Sequence, residues 1–391
     1  MRATRPRVPC SRTERHGRTR EGAAPTCEAC GRSNLICVPG DLDVTTGSPY
    51  LGPARFPLTP RDRIVVDEAG MVDLQAADAL TELALETGAG LAMVGDTHQA
   101  LPVGHGGAMG TALRFATVAV ELDTVRRFAD PEYGALTLQL RNPRDSDHAV
   151  QVATDLADRG HLRAVHSADE ARATMVDEFF RWHARGQRVA LVCATNQEAD
   201  AVNAAIQQRR IDAGELDPSR LAMGMGEQCL LEGDQVQTRR NDRRTGVENR
   251  ATWIVHGINA DTLDLVSPTD SGQLRRVTRA YALEHVQLAY ASTVHGVQGE
   301  TTDAAIVGPD VDAAGLYVGL TRGRHHNEAI CIATTDAAAR ASLAATMLRG
   351  TTELTIADSM RAADAQLRRA ARERDTQQVY SAPSAGPGAS L

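Results

Sequence analysis

Lysine is absent from all 391 residues, so every one of the 42 basic side chains is arginine. Arginine can replace lysine at many phosphate contacts. The phosphate loop Gly-x-x-x-x-Gly-Lys-Ser/Thr, however, needs a compact ammonium that reaches the β and γ phosphates. An intact loop of that kind is excluded within this sequence. Long apolar runs are missing too: nothing approaches the roughly 18 consecutive apolar residues of a membrane span, and the Arg-rich start has no apolar core like that of a signal peptide. A cytoplasmic protein with no membrane partner is the expectation.

What is present looks like an ordinary globular protein, with 42% apolar and 24% charged residues and a length that implies two or three domains. The net charge of -8 does not suggest a nucleic-acid partner. It does not exclude one, because a motor on DNA needs only a local positive track.

Residues 1–55 form an atypical Arg/Cys-rich arm in which no helix or strand period survives, and disorder is expected there. Its arginines could touch DNA phosphates. Cys27 and Cys30 have the spacing of a metal knuckle, with Cys37 nearby, so zinc is one reading and free thiols in a disordered segment the other. Cys193, Cys229 and Cys331 stand alone in apolar contexts and read as buried thiols.

The regular part of the chain is organised around Ile64 to Met71. Ile64-Val65-Val66 reads as a buried strand that delivers Asp67 and Glu68 to the carboxyl edge of a sheet, where open α/β folds place their ligands. Asp73 to Thr87 then has a helical period, and Leu91 to Val94 makes a second short strand ending in Gly95-Asp96-Thr97-His98-Gln99. Acids and a Gly-Asp-x-x-Gln run at successive strand ends make a nucleotide-site constellation.

Further along, 101–108 is a glycine-rich connection, and Arg126-Arg127 taken alone reads as a solvated patch more than as a catalytic device. Asp145 to His183 is expected to be largely helical. Gln187 to Ala194 reads as a strand. Thr195, followed three residues later by Glu198, is a capping box at a helix start, which serves its helix or a bound phosphate. Gly233 to Val266 carries short alternating strands between turns, read as a small β-barrel inserted between helical parts. At one of its turns lie Arg239, Arg240 and Asn241, close in sequence to Trp253. A phosphate-and-stacking surface and an Arg-rich solvated hairpin tip are both open readings. Gln287 to Thr293 and Ala329 to Ala333 are expected as strands, with a helix-like segment at Leu316 to Arg324.

Five stretches then stand in order: Asp67 to Met71, Gly95 to Gln99, Val125-Arg126-Arg127, Thr293 to Gly299 and Tyr317 to Arg324. Together they resemble motifs II to VI of superfamily 1 DNA helicases, most nearly the RecD-like helicase part of conjugative relaxase-helicases of the TraA and TrwC type. The likeness covers roughly residues 56 to 345 and departs from the family by lacking its first motif and the relaxase domain, as in a chain truncated before motif II.

The resemblance implies an α/β P-loop NTPase (RecA-like) helicase core, with the first RecA-like domain incomplete and the second complete around the inserted small β-barrel. It places the back half of the first domain at 56–145, a helical bridge and the start of the second at 146–226, and the barrel at 227–286. The rest of the second domain falls at 287–345, and a helical then disordered tail at 346–391. ATP and Mg2+ are the implied cofactors. By resemblance Asp67 holds Mg2+, Glu68 polarises the attacking water and Gln99 senses the γ-phosphate, which Arg127 and Arg322 reach from the second domain. Asp96, Gly299 and Glu300 border the nucleotide, while Thr195, Thr293 and His295 lie toward single-stranded DNA. Without the lysine, the chain alone is expected to bind nucleotide weakly and to hydrolyse it hardly at all. Three alternatives remain open: a split helicase whose separate partner chain carries the missing loop and the relaxase, a non-catalytic single-stranded-DNA module, and a decaying fragment.

Overall fold

In the computed structural model, the chain is described over residues 58–99, 107–122, 127–270 and 272–349. The arm at 1–55 with Cys27, Cys30 and Cys37, the loop at 101–106, Arg126 and the tail from 350 lie outside the described residues.

The described residues form two lobes. The first holds β1 (Arg63–Val66), α1 (Leu74–Thr87), β2 (Gly90–Met93) and α2 (Ala108–Phe115). β1 and β2 pair in parallel, Ile64 opposite Leu91 and Val66 opposite Met93. Ile64 and Val66 point inward against Leu80 and Leu83 of α1 and Met109 of α2, giving this lobe its own small core. The Asp73 side chain accepts from the Ala76 amide to start α1, and Gly88 at φ 69° ends it. After α2 the chain runs through 116–122 with no regular structure, leaving Val118, Val120 and Leu122 more than three-quarters exposed.

The second lobe begins with α3 (Pro131–Arg141), α4 (Ser146–Asp158), β3 (Leu162–Val165), α5 (Ala168–His183), β4 (Val189–Cys193) and α6 (Asn196–Asp212). A hairpin of β5 (Leu221–Met223) and β6 (Cys229–Leu231) leads into β7 (Gln235–Thr238), β8 (Thr252–Ile258), β9 (Thr262–Val266) and β10 (Leu274–Thr278). Then come α7 (Arg279–His285), β11 (Val286–Leu288), β12 (Ala291–Thr293), α8 (Val294–Val297), β13 (Thr302–Val307), α9 (Ala313–Leu320), β14 (Gly323–Ile332) and α10 (Asp336–Leu348).

β12, β4, β13, β14 and β3 form one all-parallel sheet in that order. A parallel sheet must be covered on both faces. One face packs against α5 and α6 and runs on into the inserted strands; the other packs under α3, α4, α9 and α10. The inserted strands make a five-stranded antiparallel sheet, β10-β9-β8-β7-β11, whose two edge strands do not pair with each other. The α/β class with a parallel sheet is as expected.

The stretch from Asp145 to His183 is largely helical as expected, with the short β3 between its two helices because Leu162 to Val165 pairs with β14. Two local expectations need correction. Gln287 to Thr293 is two strands in two sheets: β11 closes on β7 in the inserted sheet, and β12 joins β4. The strand expected at Ala329 to Ala333 begins earlier, at Gly323, since its first half pairs with β13.

Candidate nucleotide site between the lobes

The first wall is two interlocked turns at the ends of β1 and β2. Beyond Val66 the backbone turns sharply, with Glu68 held in the left-handed region at φ 54°. The Asp67 carboxylate accepts from the Glu68 amide at 2.9 Å, a local bond that stabilises the turn. The Ala69 amide donates to the Val94 carbonyl at 2.8 Å, tying this turn to the next. A Cβ on Gly95 would lie 2.8 Å from the Ala69 nitrogen, and one on Gly70 would lie 2.8 Å from the Asp96 carbonyl oxygen. Both glycines are there because the two backbones touch. In the second turn Asp96 accepts from the His98 amide at 2.9 Å and its carbonyl from the Gln99 amide at 3.3 Å, so Asp96 shapes the loop that presents Gln99.

The second wall comes from α8, α9 and the segment before α3. Gln298, just past α8, donates from Nε2 to Gln99 Oε1 at 3.1 Å and to Glu68 Oε2 at 3.4 Å, bridging both turns of the first lobe. Its Oε1 is buried and has no hydrogen-bond partner among the described residues. Leu316, Val318 and Leu320 anchor α9 in the core, which fixes the position of Thr321 and Arg322 at its end. Arg322 is 2% exposed, and its guanidinium meets only the Val318 carbonyl (2.8 Å), the Thr321 hydroxyl (3.0 Å) and, weakly, the Glu300 carbonyl (3.4 Å). Arg127 donates to the Thr321 carbonyl at 2.6 Å. Both guanidinium groups thus bond to the same residue, and neither contacts a carboxylate at ion-pair distance among the described residues.

Electrostatics mark the same place. Burial draws the Arg322 guanidinium down to about 10, the Arg127 charge pushes the same way, and Glu68, Tyr317 and Glu300 oppose it. Arg127 is lowered chiefly by burial, against Tyr317 and Glu68. Glu300 is raised by burial, which outweighs its bond from the Thr252 hydroxyl and the charges of Arg188 and Arg322. Burial raises Asp96, but the bonds from His98 and the charge of Arg141 prevail and hold it at about 2. A buried and a half-buried cation bonded only to neutral acceptors make the arrangement that an anion completes.

The structure brings together Glu68, Gln99, Asp96, Arg127, Arg322 and Glu300 from the expected set, with Asp67 exposed at the rim and Gly299 exposed beside them. A nucleotide with its magnesium fits these residues. Among the described residues no group of three His, Cys, Asp or Glu could hold a metal unaided. Mg2+, however, is commonly held by one or two carboxylates together with substrate phosphates and water, and the open carboxylate of Asp67 meets that need. The Gln298 oxygen, on the amide that bonds Glu68 and Gln99, is a ready acceptor for a bound water.

The residues expected toward DNA divide into two groups. Thr293 sits opposite Cys193 across the β12–β4 pair, so Thr293 and Thr195 share one sheet edge, where Thr195 caps α6 by accepting from the Glu198 amide at 3.2 Å. His295 follows on α8, its carbonyl accepting from Arg250 at 2.8 Å. Arg239, Arg240 and Asn241 lie on the inserted sheet: the Arg239 amide donates to the His285 carbonyl, and Arg240 NH1 lies 3.4 Å from the His285 ring. Asn241 takes the Asn249 amide at 2.8 Å. Trp253 is 4% exposed, and its Nε1 donates to the Thr238 hydroxyl at 3.3 Å. That ring is a core side chain with no open face for a base, so the stacking expected of it does not occur there.

Sequence reasoning overlooked Gln298, Tyr317 and Arg141. Tyr317 donates to Asp96 Oδ2 at 3.1 Å, and Arg141 NH1 lies 3.7 Å from the same oxygen. Gln298 and Tyr317 lay inside stretches already singled out, whereas Arg141, at the end of an ordinary helix, gave no signal.

Comparison with known proteins fits this geometry. A family described as an AAA domain matches residues 14–168. The conjugal transfer protein TraA of Rhizobium radiobacter is 23% identical over 267 residues, which is 66% of this chain and 24% of TraA. The multifunctional conjugation protein TraI of Escherichia coli is 34% identical over 105 residues, 24% of this chain and 6% of TraI. Among solved structures, the Bacteroides Pif1 helicase in complex with ADP-AlF3 and single-stranded DNA aligns with a TM-score of 0.47 at 19% identity, covering 78% of this chain and 76% of that one. The chain is similar to these conjugal transfer proteins and spans about a quarter of the length of the TraA proteins it matches.

Proposed function

We propose that this chain provides most of an ATP-hydrolysing site in a RecD-like translocase on single-stranded DNA, and that the phosphate-binding lysine comes from outside these 391 residues. The observation that carries the reading is the pair of buried Arg322 and half-buried Arg127, bonded to Thr321 and facing Glu68 across the lobe boundary. Phosphoryl transfer needs charge neutralised on the β and γ oxygens, an oriented water, and cations for the transition state. In this reading Asp67 holds Mg2+, which supplies the first of these when bound. Glu68 takes charge of the water, Gln99 and Gln298 orient it, and the two arginines meet the γ-phosphate. DNA runs over the edge bearing Thr195, Thr293 and His295, with Arg239, Arg240 and Asn241 on its phosphates. Because Arg250 and Thr252 of the inserted sheet bond His295 and Glu300, strand and nucleotide are only one side chain apart.

A second reading, a split enzyme whose lysine-bearing loop belongs to a separate chain, is favoured by the extended residues 116–122. They are exposed and carry no regular structure, which leaves them open to a partner chain. Co-purification with such a chain, and ATP hydrolysis only in the mixture, distinguishes it.

The test is a Mg-ATP titration of the purified chain. Weak binding that Arg322→Met and Arg127→Gln each reduce about tenfold supports the site, as expected for loss of a charge-assisted contact. Binding unaffected by both substitutions refutes it.

A further inference from the structure

Asp96 belongs to the first lobe, but two groups that hold its outer oxygen belong to the second. Tyr317 on α9 donates its hydroxyl to Oδ2 at 3.1 Å, and Arg141 at the end of α3 brings NH1 to 3.7 Å of the same atom. All three side chains are largely buried, and Tyr317 is pushed up to about 12 by burial and by the charge of Asp96. α3 and α9 pack on each other, and Tyr133 of α3 donates to the Leu320 carbonyl at the end of α9 at 2.7 Å, so Arg141 and Tyr317 move as one body. The inner oxygen of Asp96 is already committed to the His98 amide, which sets the turn that presents Gln99. Through Gly70 and Gly95 that turn is interlocked with the one bearing Asp67 and Glu68.

We infer that Tyr317 and Arg141 are positioning residues that transmit the placement of the second lobe through Asp96 to Gln99 and Glu68. The path is short and made of discrete bonds: α9 and α3 to the Asp96 carboxylate, Asp96 to the 96–99 turn, and that turn by backbone contact to the acids. A shift of the second lobe thus reaches the water-orienting groups without passing through a bound nucleotide. The functional meaning of the link rests on the proposed nucleotide site, but the link itself is measurable with no nucleotide present.

Amide hydrogen exchange on the purified full chain, free of nucleotide and DNA, tests it. Tyr317→Phe deletes only the hydroxyl, and Arg141→Met removes the charge while keeping most of the volume. Each is expected to speed exchange at the Ala69 and Gln99 amides about tenfold, the scale of losing one hydrogen bond to a charged group. Amides of β4 and β13 should keep their wild-type rates. The double substitution should add little beyond either single one, because both act on one oxygen, and Arg141→Lys, which keeps the charge, should stay near wild type. Unchanged exchange at Ala69 and Gln99 in both single variants overturns the inference. So does an equal rise across β4 and β13, which would show general loss of stability. Failure of the chain to bind Mg-ATP would refute the proposed site and leave this result standing.

Discussion

Arg322 has almost no exposure and no carboxylate at ion-pair distance among the described residues, a combination that folding alone does not favour. A methionine of similar volume should therefore be tolerated, or even stabilising. We expect Arg322→Met to unfold at the same denaturant concentration as the wild type or higher, in a urea titration, while nucleotide affinity falls. Asp96 makes the opposite case, since its charge is held by His98, Arg141 and Tyr317. Its folded pKa is depressed to about 2 from 3.8, so its contribution is complete above pH 4 and is lost as pH falls toward 2. That contribution is about 2 kcal/mol. Asp96→Asn should accordingly lower stability at pH 7 and flatten the acid limb of the stability–pH profile between pH 4 and 2, read by urea unfolding at each pH. The reactive groups were legible as residues because acids and arginines at strand and helix ends announce phosphate chemistry. Gln298, Tyr317 and Arg141 were not, since a Gln, a Tyr and an Arg on helices have many ordinary uses.

Elements show where local pattern suffices and where it does not. β1 and β4 were legible because continuous Ile, Val and Leu runs leave no helical alternative, and α1 announced its start with Asp73 and its end with Gly88. β3 was hidden: Leu162-Arg163-Ala164-Val165 is short, and its arginine is accommodated only because Glu328 and Glu178 meet it at 2.7 and 3.0 Å. Trp253 was misjudged for want of its strand partners. On β8 it shares an inward face with Val255 while His256 points out, and period-two alternation assigns it to the core once the register is known. Trp253→Ala should cost about 3–5 kcal/mol of stability. Trp253→Phe should leave single-stranded-DNA affinity unchanged, a pair of outcomes that denaturation and fluorescence anisotropy can check. The interlocked turns make a separate prediction. Gly95→Ala pushes a methyl against the Ala69 and Gly70 nitrogens, and overpacking of this kind costs about 1–3 kcal/mol. The loss should appear as faster amide exchange in β1 and β2, with β13 and β14 unaffected.

At the scale of the molecule, the two lobes are unequal. The second has a five-stranded parallel sheet covered on both faces, while the first has two strands, a seven-member buried cluster and an exposed extended segment after α2. The first lobe is then expected to open at lower free energy than the second, leaning on Gln298, Tyr317 and Arg141 for its order. The inserted antiparallel strands could be read from short alternating stretches set between turns. The meeting of Glu68, Gln99, Arg127 and Arg322 depends on residues more than 200 positions apart, and only the resemblance to a helicase family brought them together in advance. The central claim is that these groups form part of a hydrolytic site whose lysine-bearing phosphate loop is missing from this sequence. It is tested most directly by ATP hydrolysis of the purified chain with single-stranded DNA, measured beside Glu68→Gln. The account predicts that both proteins show the same background rate; DNA-stimulated hydrolysis by the chain alone, abolished in Glu68→Gln, would contradict it.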